Sequence, residues 1–287
     1  MSRRTLSVPA TVLRATSTAG GWLLRATAAL TLLLCTGAGG GAATGGDPQA
    51  TLSKEELVAL LREIDRRQSN TGDYKAVAFI EQKERGKSDL LYEVAIYRRD
   101  ADDKLLILFL KPKTEAGKGY LRIENNLFFY DPTVGKWERR TERERIGGTG
   151  SQRNDFDEPR LAEDFEPELI GVEPLGKFST WHLKLRAKEG ADVPYPVVEL
   201  WIDRKTKNVL KQQERALSGR LMRTSYYPKW GRIYSESKGS YVYFPKEIRI
   251  YDEVEKGKQT RIVMRKVDLA PLDPNIFTKA WLESKSR

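Results

Sequence analysis

The first hydrophobic pattern along the chain has the period of a helix. Four apolar residues recur at the spacing i, i+3, i+4, i+7, which places them on one face of a helix. They are Leu57, Leu60, Leu61 and Ile64. The preceding Ser53-Lys-Glu-Glu56 reads as a capping box that begins the helix. The pattern predicts one amphipathic helix whose apolar face packs against the rest of the protein.

From Tyr74 onward the period changes to two, which is typical of half-buried β-strands. Turn residues rich in Gly, Asn and Asp separate the apolar stretches at hairpin spacing. The stretches are 74–83, 90–98, 105–111, 120–123, 127–130, 136–139, 181–187, 197–203, 209–217, 221–227, 246–251 and 260–267. About eleven or twelve strands at this spacing predict a mainly β protein built as an antiparallel sandwich or barrel.

Two places depart from simple alternation. The stretch 105–110 reads Leu-Leu-Ile-Leu-Phe-Leu and is apolar on both faces, so it needs a cover on each side. The helix around 57–64 and the segment 141–170 are the available covers. That segment begins basic, contains the glycine-rich run 147–151 and ends with seven acids between 155 and 168. Its length predicts either a binding loop or lid with a short helix near 159–165, or a solvated connector.

Residues 1–46 have the organisation of an export signal. Four arginines and no acid accompany the apolar run 26–34, and small residues follow it. The apolar run is about ten residues long, whereas a permanent membrane helix needs roughly 20. We expect cleavage after Ala43, which gives a signal peptide over 1–43, a flexible lead-in over 44–52 and one domain over 53–287.

Two variants of this signal stay open. Lipidation of Cys35 would anchor the protein to a membrane, although Leu34 stands where a lipoprotein signal has a small residue. The run Ser2-Arg3-Arg4-Thr5-Leu6 hints at twin-arginine export. Both variants predict export.

The composition excludes several classes of site. Cys35 is the only cysteine and His182 the only histidine, which excludes disulfide frameworks, cysteine zinc sites, cysteine nucleophiles and multi-histidine metal cages within the chain. Removing residues 1–46 takes away four arginines and no acid, which lowers the formal net charge from +10 to +6. The remaining charges are spread along the strands and balanced by acids, so a nucleic-acid partner is not expected.

Candidate motifs for catalysis or ligand binding lack the residue spacing that these sites require. Gly86-Lys87-Ser88 lacks the earlier glycine of a phosphate loop, because position 81 is Glu. Asp155-Phe-Asp-Glu158 has no EF-hand spacing and is interpreted as an acidic surface loop. His182 alternates with apolar residues and is interpreted as a solvated strand residue. We therefore expect no catalytic residue, metal or cofactor, although a glycosidase built from scattered acids is not excluded.

Six short motifs in a fixed order carry a family resemblance over roughly residues 52–284. They are Leu110-Lys-Pro112, Gly119-Tyr-Leu121, Asn126-x-x-Phe129-Tyr-Asp-Pro132, the stretch from Gly150-Ser151 to Asp155-Phe156, Glu199-Leu-Trp-Ile-Asp203, and Asp273-Pro-Asn-Ile-Phe277-Thr. In this order the chain resembles the outer-membrane lipoprotein-sorting proteins, the LolA-like family of exported carriers in Gram-negative bacteria.

The resemblance implies an incomplete antiparallel β-barrel with an amphipathic N-terminal helix and a helical or loop lid over an apolar cavity for acyl chains. It also implies a monomeric periplasmic carrier without catalysis. Its partners would be acylated lipoproteins or other lipids, an inner-membrane transporter and an outer-membrane acceptor. The candidate cavity residues are Leu57, Leu60, Leu61, Ile64, Phe79, Ile96, Leu106, Leu108, Leu110, Phe129, Trp137, Leu200 and Ile202.

Other interpretations stay open at this point. The protein could be an exported accessory subunit that binds an inner-membrane exporter and carries no lipid. An exported hydrolase would need a reactive group such as Asp155 or Asp157. The basic run 139–153 and the acidic run 155–168 are candidates for docking partners through charge.

Overall fold

A computed structural model of the protein describes residues 51–123, 126–141 and 143–285. The expected signal peptide, its cleavage site and Cys35 lie outside the described residues. The described chain contains helices α1 (Lys54–Gln68), α2 (Leu161–Asp164) and α3 (Lys279–Lys285). Its strands are β1 (Asp73–Glu84), β2 (Leu90–Arg99), β3 (Lys104–Lys111), β4 (Gly119–Ile123), β5 (Asn126–Asp131), β6 (Lys136–Arg140), β7 (Phe165–Leu175), β8 (Phe178–Ala187), β9 (Val197–Asp203), β10 (Val209–Arg215), β11 (Leu221–Ser235), β12 (Ser240–Asp252) and β13 (Lys258–Asp268).

Helix α1 begins at the expected capping box. The backbone N–H of Glu56 donates to the Ser53 hydroxyl at 3.2 Å, and the backbone N–H of Ser53 donates to the Glu56 carboxylate at 2.8 Å. Acids in the first turn and Arg66 and Arg67 in the last turn complement the helix dipole. None of the helices in the described ranges has the length and apolar character needed to cross a membrane.

The strands form one antiparallel sheet that is not closed into a barrel. The strand order is β6-β5-β4-β3-β2-β1-β13-β12-β11-β10-β9-β8-β7, so the first and last strands pair in the middle while β6 and β7 are the edges. The prediction of an incomplete antiparallel β-barrel is confirmed, with thirteen strands rather than about eleven. Strand β7 was missed because its sequence is rich in Glu and Pro, which suits an edge strand.

Strand register defines the two faces of the sheet. Residues directly opposite each other in a ladder share a face, and the pairs Leu183–Leu200, Leu200–Gln212, Gln212–Ser225 and Ser225–Ile250 run across five strands. We call the face that carries Leu200 and Ile250 the inner face and the opposite one the outer face.

Two covers close the inner face. Helix α1 packs on β8, β9 and β10 in an apolar cluster that includes Leu61 and Leu200. Residues 143–164, which we call the lid, place Ile146 and Phe156 on a second cluster formed by β1–β5, β12 and β13. The lid is part of the connection between the two edge strands, β6 and β7.

The outer face has its own cover. Ile276, Phe277 and Leu282 near the C-terminus pack on Ala95, Leu106 and other residues of β2, β3 and β4. The doubly apolar strand β3 is therefore covered by the lid on one side and by the C-terminal residues on the other. The expectation that α1 would cover β3 was wrong, because α1 lies on the half of the sheet formed by the later strands.

Candidate functional site

The structure divides the thirteen candidate residues among different surfaces. The four helix residues are buried between α1 and the sheet, where they lie in one cluster with Leu200 and Ile202. Ile96 and Phe129 belong to the cluster beneath the lid. The other candidates lie on the outer face or at its margin, because their strand positions alternate with the inner-face residues. They are Phe79, Leu106, Leu108, Leu110 and Trp137.

The space between α1, the lid and the inner face is nearly filled. A cavity of about 100 Å³ remains there, lined by residues such as Tyr74, Phe156, Tyr227 and Ile248. Ligand pockets commonly have volumes of about 300–1,000 Å³. The apolar interior beneath the lid is therefore too small for a complete acyl chain. A second, more polar space of about 500 Å³ lies between the lid, the loop after β8 and the inner-face residues Val198, Gln212 and Glu214.

Two apolar side chains of the lid fill most of this space. Ile146 is fully buried and Phe156 is 2% exposed. Gly147 has a φ of +60°, and a Cβ atom there would stand 3.0 Å from the rings of Phe109 and Tyr92. The Tyr92 hydroxyl donates to the Gly147 carbonyl at 3.1 Å. The lid backbone thus approaches the aromatic inner face more closely than a side chain would allow.

Between the two apolar clusters, the lid is held by a buried ionic group. The Arg223 guanidinium donates to both carboxylate oxygens of Asp155 at 2.5 and 2.6 Å and to Glu214 at 3.1 Å. All three side chains are at most 5% exposed. Burial raises the pKa of Glu214, and the Arg223 charge offsets part of that rise. Asp155 belongs to the lid, so this group joins the lid to β10 and β11.

A second ionic group holds the lid to β4. Arg122 donates to Asp157 at 2.5 Å, and Arg153 within the lid donates to the same carboxylate at 3.0 Å. Arg122 and Asp157 are 4% and 7% exposed. The interpretation of Asp155 and Asp157 as surface acids was wrong, because both are buried against guanidinium groups. They bind the chain to itself and are not available for docking a partner.

The Glu158 carboxyl of the lid has a more distant counterion, because the Arg160 guanidinium lies 3.8 Å from it. Burial and, to a smaller extent, the negative charge of Asp100 raise the pKa of Glu158 to about 7, although the positive charges of Arg98 and Arg160 offset part of the rise. The ionised form of Glu158 is therefore disfavoured in the closed lid. The lid combines strong ionic contacts with one carboxyl that titrates near neutral pH.

His182 is placed differently from its expected role. Its ring stacks on Trp201 with centroids 4.1 Å apart, and its two nitrogens lie 3.2 Å from Glu173 and 3.3 Å from Glu199. The side chain is 14% exposed, so the interpretation as a solvated residue was wrong. Within the described ranges, no group of His, Cys, Asp and Glu is arranged to hold a metal ion.

The sequence analysis missed the residues that fasten the lid. Arg223 and Glu214 occupy inner-face positions of strands that otherwise carry Ser225 and Gln212 there. A weak signal existed, since a charged residue at such a position needs a buried counterion and the segment 155–158 offers carboxylates. Which carboxylate meets which arginine depends on distant parts of the chain and has no local signature.

Comparison with known proteins identifies relatives of the fold. A family model with the description "Uncharacterized protein" matches residues 101–284, which is more than half of the chain. No curated protein matches the chain in sequence.

Three solved structures are similar over most of the chain. A LolA superfamily protein from Nitrosomonas europaea has a TM-score of 0.67 at 20% identity, covering 80% of this chain and 100% of its own. A DUF1329 family protein from Desulfovibrio piger has a TM-score of 0.70 at 17% identity, covering 81% and 100%. An outer membrane lipoprotein-sorting protein domain from Vibrio parahaemolyticus has a TM-score of 0.69 at 16% identity, covering 80% and 100%. At these identities the likeness shows a shared, LolA-like fold.

Proposed function

We propose, from the premise that the chain belongs to the family matched over residues 101–284 and has the LolA-like fold, that it is a periplasmic carrier of acyl chains. It would bind the chains of lipoproteins or other lipids beneath the lid and transfer them toward the outer membrane without catalysis. The expected export signal supports the location, and the fold supports the carrier role.

The observation that carries the proposal is the attachment of the lid. The lid closes an apolar face, and buried ion pairs and two apolar side chains hold it there rather than a strand ladder. An acyl chain that takes the places of Ile146 and Phe156 would contact the same apolar wall, which includes Ile96 and Ile107. The lid is thus a removable substitute for the cargo.

The free energies are compatible with this exchange. Burying a 16-carbon chain yields on the order of 10 kcal/mol, at about 0.8 kcal/mol per CH₂. Exposing one large apolar side chain of the lid costs about 1.5–3 kcal/mol. The remainder is available to separate the lid from its ionic contacts. Release then requires a partner that binds the chain better or stabilises the closed lid.

A disulfide that locks the lid tests this function. An ideal Cβ on Gly150 lies 3.5 Å from the Cβ of Thr260 on β13, within the range that a disulfide bridges. In a Cys35→Ser background, Gly150→Cys with Thr260→Cys places the only two cysteines at this contact. The test measures binding of a fluorescent fatty acid by the oxidised and the reduced protein.

We expect oxidation to weaken fatty-acid binding at least tenfold and reduction to restore it. The single variants serve as controls for the substitutions themselves. Mass spectrometry of organic extracts from protein purified without detergent should also find bound acyl lipid. Protein that carries no lipid and binds no fatty acid in either redox state would contradict the carrier function.

The nearly filled interior favours a second candidate function. An accessory subunit that binds an inner-membrane exporter needs no cavity, and the 100 Å³ space agrees with that role. Such a protein would capture a transporter from detergent extracts equally well in its oxidised and reduced locked forms. A carrier that exchanges cargo with a transporter should lose function when the lid is locked.

A further inference from the structure

A gap interrupts the pairing of the sheet beside the interior cavity. The β10–β11 ladder ends at the pair Lys211–Tyr226, although β11 continues to Ser235. The register between β11 and β12 shifts between Tyr226 and Trp230, which marks a bulge. Tyr227 and Pro228 are therefore paired with neither strand, and from Lys229 onward β11 pairs with β12 but not with β10.

Two aromatic side chains fill this gap. The Trp230 indole N–H donates to the Val209 carbonyl at 3.0 Å, and the Tyr227 hydroxyl donates to the Gln212 side chain at 3.2 Å. The Val209 carbonyl belongs to the part of β10 that no longer pairs with β11, whereas Gln212 still pairs with Ser225 and accepts the tyrosine bond on its side chain. A side-chain rotation can break these contacts without unfolding a strand ladder.

A groove of about 1050 Å³ lies on the other side of the same two residues. Its wall includes Leu175, Phe178, Leu210 and Tyr226, and Phe178 is 40% exposed. Tyr227 and Trp230 line both this groove and the interior cavity. The two spaces are therefore separated by a partition of two side chains.

We propose that this outer groove is a second binding site for one acyl chain, connected to the interior through the gap that Tyr227 and Trp230 fill. The inference rests on the proposed carrier function and names a site that this function does not require. Its volume suits a single chain. Apolar and aromatic side chains on one part of its wall offer burial for the chain, and charged side chains such as Arg249 and Lys256 line the rest of the groove.

The position of the groove indicates when an acyl chain would bind there, which is before the chain enters the interior. A chain in the groove lies outside the lid, so it can bind while the ionic contacts of the lid are intact. Rotation of Trp230 and Tyr227 would then let the end of the chain pass between β10 and β11. The groove would hold a chain more weakly than the interior does, because one side stays open to water.

Measurements on the locked protein distinguish binding in the groove from binding in the interior. In the oxidised Gly150→Cys/Thr260→Cys protein, we expect fatty-acid binding that is at least tenfold weaker than in the reduced form but still measurable. Leu175→Glu with Phe178→Glu should weaken this residual binding at least fivefold, because both residues line the groove. Leu217→Glu is the matched control, since Leu217 is 87% exposed and lies outside the groove.

Trp230→Ala provides a second measurement at the partition. It compares the rate of fatty-acid uptake by unlocked Trp230→Ala with that by unlocked Tyr234→Ala, which changes an exposed aromatic on the same strand. Faster uptake only in the Trp230 variant supports the gap as a route.

The outcomes distinguish the two proposals. Tight binding by the reduced protein with no residual binding when oxidised would overturn the groove site and leave the carrier function standing. Residual binding that Leu217→Glu weakens as much as the groove variants would also overturn it. Absence of binding in every form would overturn both proposals.

Discussion

Helix α1 and the lid cover the same face of the same sheet, but different forces hold them there. The contact of α1 with the sheet is a cluster of apolar side chains that includes Leu57, Leu60 and Leu61. The lid contributes two buried apolar side chains, and its acids form buried ion pairs with arginines of β4 and β11. Buried apolar area holds α1 on the sheet, whereas the positions of buried ion pairs hold the lid.

This difference predicts which of the two covers can move. Apolar contact is non-directional and is lost gradually as surface becomes exposed. A buried ion pair tolerates little displacement, because a carboxylate that leaves its guanidinium without water is strongly destabilised. We therefore expect α1 to stay in place while the lid changes between a closed state and one in which its charges meet water.

The largest expected effect comes from removing the shared guanidinium. Arg223→Met leaves Asp155 and Glu214 buried without a counterion, which should lower the free energy of unfolding by about 3–5 kcal/mol in urea titrations. Arg232→Met, an exposed arginine on the same strand, should cost less than about 1 kcal/mol. Equal losses for the two variants would show that the ionic group does not hold the lid.

The apolar cover should respond to loss of volume. Leu61 is fully buried on the side of α1 that faces the sheet, so Leu61→Ala should lower the free energy of unfolding by about 2–5 kcal/mol. Because this contact is apolar, the loss should be the same at low and high salt. The neighbouring Arg62→Ala, at an exposed position, should change stability by no more than about 0.5 kcal/mol. If the loss of unfolding free energy in Leu61→Ala depended on salt, the contrast between an apolar contact at α1 and an ionic contact at the lid would be contradicted.

The lid should also respond to pH. Glu158 has a pKa of about 7 in the folded protein and 4.5 in the unfolded chain, so the unfolded chain releases its proton first as pH rises. The stability of the closed lid is therefore full below pH 4.5 and falls by up to about 3 kcal/mol as pH rises to 7.

Hydrogen exchange of the lid amides, corrected for intrinsic rates, measures this pH effect. Protection should be weaker at pH 7.5 than at pH 5.5, and Glu158→Gln should remove the contribution of this carboxyl. An unchanged pH dependence in the Gln variant would assign the effect to other groups, of which Asp65 is one, since burial raises its pKa to about 6.

The smallest effect belongs to the partly exposed ion pair at the beginning of the lid. Arg145 donates to Asp252 at 2.7 Å, and its side chain is 37% exposed. Arg145→Ala should destabilise the closed lid by about 0.2–1 kcal/mol at low salt and less at 0.5 M salt. The labelling rate of a buried Ser151→Cys thiol reports lid opening in this comparison. A rate that is higher at both salt concentrations by the same factor would mean that the contact is not electrostatic.

Local patterns were sufficient to predict the parts of the fold that depend on local physics. The period of Leu57 to Ile64 and the capping box predicted α1, and alternation predicted twelve of the thirteen strands. The face that each strand presents to the interior depends on register, which alternation alone does not determine. This is why Leu106 and Leu108 were grouped with Ile96, although the sheet separates them.

The site was less predictable than the fold for the same reason. An arginine in a strand normally marks a solvent-facing position, and Arg223 differs only because Asp155 reaches it from 68 residues away. The bulge at Tyr227 and Trp230 likewise depends on the neighbouring strands and has no signal within β11 itself. The candidate site therefore depends on ion pairs between distant residues and on interruptions of strand pairing, neither of which has a local sequence signal.

The path of the chain between the two edge strands has a mechanical consequence. Strand β6 ends at Arg140 and β7 begins at Phe165 on the opposite edge of the sheet, so the 24 intervening residues tether the two edges across the inner face. Fully extended, this tether would reach about 80 Å. Thirteen strands at a spacing of about 4.8 Å span only about 58 Å even when flat, so the extended segment is longer than the sheet is wide. The segment has enough length to leave the inner face without pulling on either edge strand, and it stays covalently attached at both ends.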